Sequence, residues 1–180
     1  GKTMGIVGAG GIGQEVARLA KALGLRTLGT RRSSAPTPHL DQLFPPSELH
    51  AMLAQSDVVV VAAQFTAETH HLIGSDAITA MRAGAFLINV ARGELVDGRA
   101  LWPALRSGQV GGFATDVYEN EFEQEPPAEL LTLENVIFTP HTSGQSEERE
   151  YGSLAIFKEN LRRTLAGEPL INQVDWSRGY

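Results

Sequence analysis

Apolar positions along the chain switch between two periods. Short runs rich in β-branched and other apolar residues cover 3–7, 26–30, 57–63, 85–90, 110–117 and 136–139, and read as strands. Between them the spacing lengthens to every third or fourth residue, which predicts helices over about 11–23, 45–54, 75–82, 97–107 and 146–166. Ile12, Val16, Leu19 and Leu23 form one apolar face of the first helix, and Leu154, Phe157, Leu161 and Leu165 one face of the last. The runs at 57–63 and 85–90 are almost continuously apolar, the pattern of strands buried on both faces of a parallel sheet. Gly24 and Gly108 stand where helices should stop, and Ser47 and Asp97 where helices should be capped. Pro103 lies inside its helix pattern, removes a backbone bond and predicts a kink or a shifted start. The polar stretch 31–38 and the acidic stretch 119–127 both contain proline and read as loops; for most glutamates of the second, a solvated surface is expected.

Strands alternating with helices imply right-handed crossovers and an α/β fold: a doubly wound parallel sheet between two helical layers. In such sheets ligands bind beyond the carboxyl ends of the strands. Chemistry is therefore expected at 8–13, 31–33, 64–66, 91–93, 116–121 and 140–144.

Composition narrows the class. At 180 residues, 42% hydrophobic and 20% charged, the chain has the make-up of one globular domain. A net charge of −6 gives no reason to expect nucleic acid as a partner. The longest apolar run, 58–63, is too short to span a bilayer. No basic and apolar leader precedes the first strand, and with no cysteine there are no disulfides or thiolate chemistry, which fits a cytoplasmic protein. The chain opens almost directly on a core strand, so further polypeptide is expected upstream of Gly1.

The strongest motif follows that strand: Gly8-Ala9-Gly10-Gly11-Ile12-Gly13 has the spacing G-x-G-x-x-G between strand and helix. Gly8 permits the tight turn, Gly10 lets backbone approach a pyrophosphate, and Gly13 lets the helix sit close on the strand. Phosphates would rest on the helix N-terminus, where N–H groups and the dipole favour negative charge. This is a Rossmann-type dinucleotide site. At the end of the second strand, where a carboxylate would bind an NAD ribose, stand Thr30-Arg31-Arg32-Ser33-Ser34, with no carboxylate until Asp41. Two guanidiniums and serine hydroxyls suit a 2′-phosphate, so NADP is expected in preference to NAD. Strand-end position adds Ala63, Thr66, Val90, Ala91, Arg92, His141 and Gly144 to the expected cofactor contacts. Arg92 follows a buried strand and precedes a glycine, a place where a guanidinium can grip a substrate carboxylate. His141 follows the last strand and is a candidate general acid, with an acidic residue from the loop after Asp116 as partner. His39, His50, His70 and His71 lack such a setting and read as structural or surface residues.

These residues resemble a family. From Gly1 to about Val174 the chain is similar to the nucleotide-binding domain of the D-isomer-specific 2-hydroxyacid dehydrogenases, of glyoxylate or hydroxypyruvate reductase type. The resemblance rests on the opening 1–13, on Leu72-Ile73-Gly74, and on 89–97, 112–119 and 135–141. It implies that Arg92 binds the substrate's carboxylate and carbonyl, that His141 is the acid/base, and that Asp116 contacts the nicotinamide carboxamide. The carboxylate paired with the histidine, five residues after that aspartate, maps to Glu121. The family usually follows it with proline; here Phe122 follows and Glu125-Pro126 comes later, so Glu125 is the alternative. A second departure is Gln64, where the family commonly has proline.

The resemblance further implies a homodimer and a two-domain enzyme. Residues 1–180 are its dinucleotide-binding domain, the first half of the substrate domain is absent, and about 146–180 returns toward that domain. The implied reaction is NAD(P)H-dependent reduction of a small 2-oxo acid to the D-2-hydroxy acid, with no metal. Related proteins that act on formate or phosphite, or that sense dinucleotide as corepressors, are the alternatives.

Overall fold

The computed structural model describes residues 1–33, 35, 37–142, 144, 147–174 and 176, with backbone alone for 147–150. The chain divides into two compact units, Gly1–Thr139 and Pro140–Tyr180.

In the first unit the described residues form one parallel sheet of seven strands: β1 (Thr3–Val7), β2 (Arg26–Thr30), β3 (Gln42–Phe44), β4 (Val58–Val61), β5 (Ala85–Asn89), β6 (Val110–Thr115) and β7 (Val136–Phe138). Their order is β3-β2-β1-β4-β5-β6-β7, with every pairing parallel. The chain winds outward from β1 in one direction and from β4 in the other. The crevice between these two strands, beyond their carboxyl ends, is where this topology opens a ligand site. The expected doubly wound α/β fold is the one observed.

The helices are α1 (Gly11–Ala22), α2 (Leu49–Leu53), α3 (Ser75–Ala80), α4 (Gly98–Ser107) and α5 (Ala128–Thr132), with α6 (Glu147–Ala166) in the second unit. Leu28, Val59, Val61 and Leu87 from the strands form one core with Met52 and Leu53 of α2, Ile78 of α3 and Leu101 and Leu105 of α4. Truncating a fully buried leucine such as Leu28 or Leu87 should cost about 2–5 kcal/mol, because the cavity closes only in part. Asp97 caps α4 by accepting the Arg99 N–H at 3.0 Å, and Gly108 ends it in the left-handed conformation, φ 77°. No described helix is long and apolar enough to cross a membrane.

Several sequence expectations need correction. The buried face of α1 is Gly13, Ala17 and Ala20, whereas Ile12 and Leu23 are 63% and 80% exposed. Small residues let the helix sit close to β1, so the larger apolar face points outward. The stretch 45–54 splits into a 3-10 turn, Pro46–Glu48, and the short α2. Ser47 lies inside that turn and does not cap; Pro46 starts it, where a missing N–H is harmless. Pro103 does not shift the start of α4, which begins after the Asp97 cap and runs continuously through the proline. Its ring is on the exposed side, so the carbonyl it leaves unmatched, that of exposed Arg99, can turn to water. Strand β5 is not buried on both faces: Phe86 is 54% exposed. On α6, Leu154, Phe157, Leu161 and Leu165 are exposed, and the expected start at Ser146 lies outside the described residues. Two short elements, β3 and α5, lie where the sequence predicts no element, because they carry too few residues to show a period.

Candidate active site

The glycine turn has the shape that a pyrophosphate requires. Gly8 leaves β1 with φ 95°, and a Cβ there would lie 2.5 Å from the Ala63 Cα and 2.6 Å from its nitrogen. The turn out of β1 thus runs directly against the backbone just past β4. Gly8 and Ala9 donate to the Thr30 carbonyl at 3.2 and 2.9 Å, which ties the turn to the end of β2. A Cβ at Gly13 would overlap the Gly8 carbonyl oxygen. Around Gly10 and Gly11, by contrast, nothing lies within 4 Å of the Cβ position. That open space adjoins the first turn of α1, which has neither a side-chain cap nor an acidic residue. Two glycines are needed inside the protein and two border free volume, so the turn fits a dinucleotide phosphate.

At the end of β2, Arg31 is half-buried and Arg32 and Ser33 are exposed; Ser34 lies outside the described residues. Arg32 forms an exposed ion pair with Glu68 at 3.6 Å, of a kind usually worth no more than about 1 kcal/mol. The nearest following carboxylate is committed elsewhere. Asp41 accepts from the Lys21 ammonium at 2.7 Å and from the Thr27 N–H at 2.9 Å, near the start of β2. These bonds hold its pKa down at about 2. Past β4, the Thr69 hydroxyl donates to the Gln64 carbonyl at 2.7 Å and accepts the Thr66 N–H at 2.8 Å. The turn thus closes without the proline expected at position 64.

Arg92 stands on a turn built by Asn89. The buried Asn89 side chain donates to the Arg92 carbonyl at 2.8 Å and accepts the Ala91 N–H at 3.0 Å. Val90 donates to the Val61 carbonyl, which fixes this turn against the end of β4. The Arg92 guanidinium is exposed and donates to the Ala91 carbonyl at 2.7 Å. Gly93 then presses on the Tyr118–Glu119 peptide so closely that a Cβ would overlap it. That contact brings the Arg92 turn and the loop after β6 together.

The β6 loop is itself tied down. The Thr115 hydroxyl donates to the Val117 carbonyl at 2.7 Å, and Asp116 is buried. The Tyr118 hydroxyl donates to the Gln124 carbonyl at 2.9 Å, while Asn120 takes the left-handed conformation, φ 59°, that reverses the chain. Glu121 is half-buried in this loop, whereas Glu125 and Phe122 are exposed. His141 and Gly144 belong to the second unit. His141 is exposed in a tight turn in which the Thr142 N–H donates to the Pro140 carbonyl at 2.6 Å.

One cluster went unnoticed in the sequence. His70 and His71 stack with ring centroids 3.9 Å apart, and both Nε2 atoms approach the same Glu119 oxygen, at 3.8 and 3.3 Å. Adjacent side chains usually diverge; the left-handed backbone of His71, φ 52°, allows these to converge. No sequence period marks such a residue.

Residues 1–143 match the family model described as D-isomer specific 2-hydroxyacid dehydrogenase, NAD binding domain. The chain is 40% identical to a glyoxylate reductase of Pyrococcus horikoshii, over 93% of this chain and 50% of that protein. It is 35% identical to a D-3-phosphoglycerate dehydrogenase of Methanocaldococcus jannaschii, over 97% of this chain and 33% of that protein. The chain thus spans a third to a half of the length of these relatives. A crystal structure of a D-isomer specific 2-hydroxyacid dehydrogenase from Xanthobacter autotrophicus, in complex with NADPH and MES, superimposes with a TM-score of 0.90 at 35% identity. That superposition covers 99% of this chain and 73% of that one. With its glycine turn at the crevice between β1 and β4, the chain belongs to the D-isomer specific 2-hydroxyacid dehydrogenase family, and residues 1–143 are its NAD(P)-binding domain.

Proposed function

We propose that this chain is the dinucleotide-binding part of an NADP-preferring reductase of small 2-oxo acids, of glyoxylate or hydroxypyruvate type. The observation that carries the reading is the contact of Gly93 with the Tyr118–Glu119 peptide. It puts the turn of Arg92 beside the loop of Glu121, on the sheet whose first turn is shaped for a dinucleotide. The reduced nicotinamide supplies hydride when bound. Arg92 binds the α-carboxylate through a forked pair of hydrogen bonds and polarises the ketone. His141 donates a proton to the forming alkoxide, and Glu121 stabilises the imidazolium. Holding ketone and acid in line supplies much of the rate. Buried Asp116 receives the nicotinamide carboxamide. The same reading assigns cofactor contacts to Ala63, Thr66, Val90, Ala91 and Gly144, and the phosphates to the open side of the turn at Gly10, Gly11 and Ile12, with Gly8 and Gly13 shaping that turn from inside.

The NADP preference rests on Arg31, Arg32 and Ser33 and on the engagement of Asp41 with Lys21 and Thr27. The half-buried position of Glu121 favours it over exposed Glu125 as the histidine's partner. In this reading the active enzyme has a substrate domain besides residues 1–143, toward which about 146–180 leads. It is a cytoplasmic homodimer. His141→Ala and Arg92→Ala in the active enzyme test the chemistry with glyoxylate and hydroxypyruvate. Loss of the acid should lower kcat by roughly two to four orders of magnitude, and loss of the guanidinium should raise KM as well. Near-normal turnover in either variant contradicts the assignment.

A further inference from the structure

The geometry points to a divalent transition-metal site formed by His70, His71 and Glu119, separate from the dehydrogenase residues and independent of that reading. Each residue offers a ligand atom, and the three atoms lie within 4.8 Å of one another. An ion held by bonds of about 2.0–2.1 Å sets tetrahedral ligands about 3.3 Å apart. The His71–Glu119 separation is 3.3 Å and the His70–Glu119 separation 3.8 Å. Ligation of one ion by both histidines requires their stacked rings to turn apart, which these partly exposed side chains have room to do.

The His71 Nε2 hydrogen-bonds the Glu119 carboxylate at 3.3 Å, and the His70 Nε2 stands 3.8 Å from the same oxygen, beyond hydrogen-bond reach, so two imidazoles face one carboxylate and only one of them is bonded to it. A shared cation satisfies both nitrogens and the carboxylate together. Two imidazoles and one carboxylate form a borderline-soft donor set suited to Zn2+ or Co2+, and water can complete the coordination at this half-exposed place.

The backbone holds the two segments in register for this. The His71 N–H donates to the Glu94 carbonyl at 2.8 Å, and the Glu94 carboxylate faces the Asn120 N–H at 3.5 Å. One residue thus braces the histidine turn and the β6 loop. The left-handed conformation at His71 carries a backbone cost, which ligation offsets. The bound ion would cross-link these two segments, next to the loop residue Glu121.

The test is a Zn2+ titration of the tag-free chain by calorimetry, with Co2+ absorption as a second probe of ligand set. The expected result is one ion per chain with micromolar affinity. His71→Ala and Glu119→Gln should each weaken it at least tenfold and abolish the cobalt absorption, with circular dichroism unchanged. His39→Ala and His50→Ala should leave it intact. Absence of saturable binding, binding unaltered in the His70→Ala/His71→Ala double variant, or a loss confined to His141→Ala overturns the proposal.

Discussion

Gly8 and Gly10 stand two residues apart in one turn and make opposite demands. Gly8 is held at φ 95° with Ala63 backbone where its side chain would be, whereas Gly10 has an ordinary φ of −81° and open space. Gly8→Ala should therefore destabilise the protein by about 1–3 kcal/mol, from left-handed strain and overlap with backbone. Gly10→Ala should leave the melting temperature unchanged and still weaken dinucleotide binding, because its Cβ enters the phosphate space. Thermal melts combined with NADPH titrations separate the two; equal loss of stability in both would contradict this account of the turn. Asp41 gives a pH signature. Its folded pKa of about 2 lies below the ordinary 3.8, through the Lys21 ammonium first and then the Thr27 N–H. A depressed carboxylate adds stability above its unfolded pKa and loses it as pH falls through the folded one. Asp41→Asn should therefore be less stable than wild type above about pH 4, with the difference fading toward pH 2. A stability gap independent of pH would show that the ion pair is not its source.

Among the elements, the strand ends were legible in the sequence, and most helix faces were not. Strands β1 and β4 announce themselves because their residues are mostly β-branched and buried. The candidate site is legible for the same reason: its expected residues follow strands, and Gly8 leaves β1 in the left-handed conformation that only glycine adopts freely. Helix α1 misled because its close approach to β1 selects Gly13, Ala17 and Ala20, which register weakly as hydrophobic, and turns Leu19 and Leu23 outward. The union of the Arg92 turn with the β6 loop was invisible as well, since it depends on the missing side chain of Gly93 against a peptide some 25 residues away. Gly93→Ala should cost about 1–3 kcal/mol through forced displacement of the Tyr118–Glu119 peptide. In the active enzyme it should lower kcat/KM with 2-oxo acids more than it weakens NADPH binding. Unchanged stability, measured by urea unfolding, would mean the two loops are not clamped there.

In the molecule as a whole, one seven-stranded parallel sheet sets the positions of the turns at its strand ends. Its order places the reversal between β1 and β4, its first turn has the shape a phosphate requires, and the end of β2 carries two arginines, while Asp41, the next carboxylate along the chain, is held by Lys21 and Thr27. Charge at that one position decides between the two dinucleotides, because a 2′-phosphate adds a dianion that only a cationic pocket offsets. The central claim is thus a binding claim, and it can be tested without turnover. Calorimetric titration of the chain with NADPH and with NADH measures it directly. The account predicts one site, NADPH bound at least tenfold more tightly, and that margin lost in Arg31→Ala/Arg32→Ala. Equal or tighter binding of NADH would contradict the arginine pocket, and no binding of either would contradict the glycine turn.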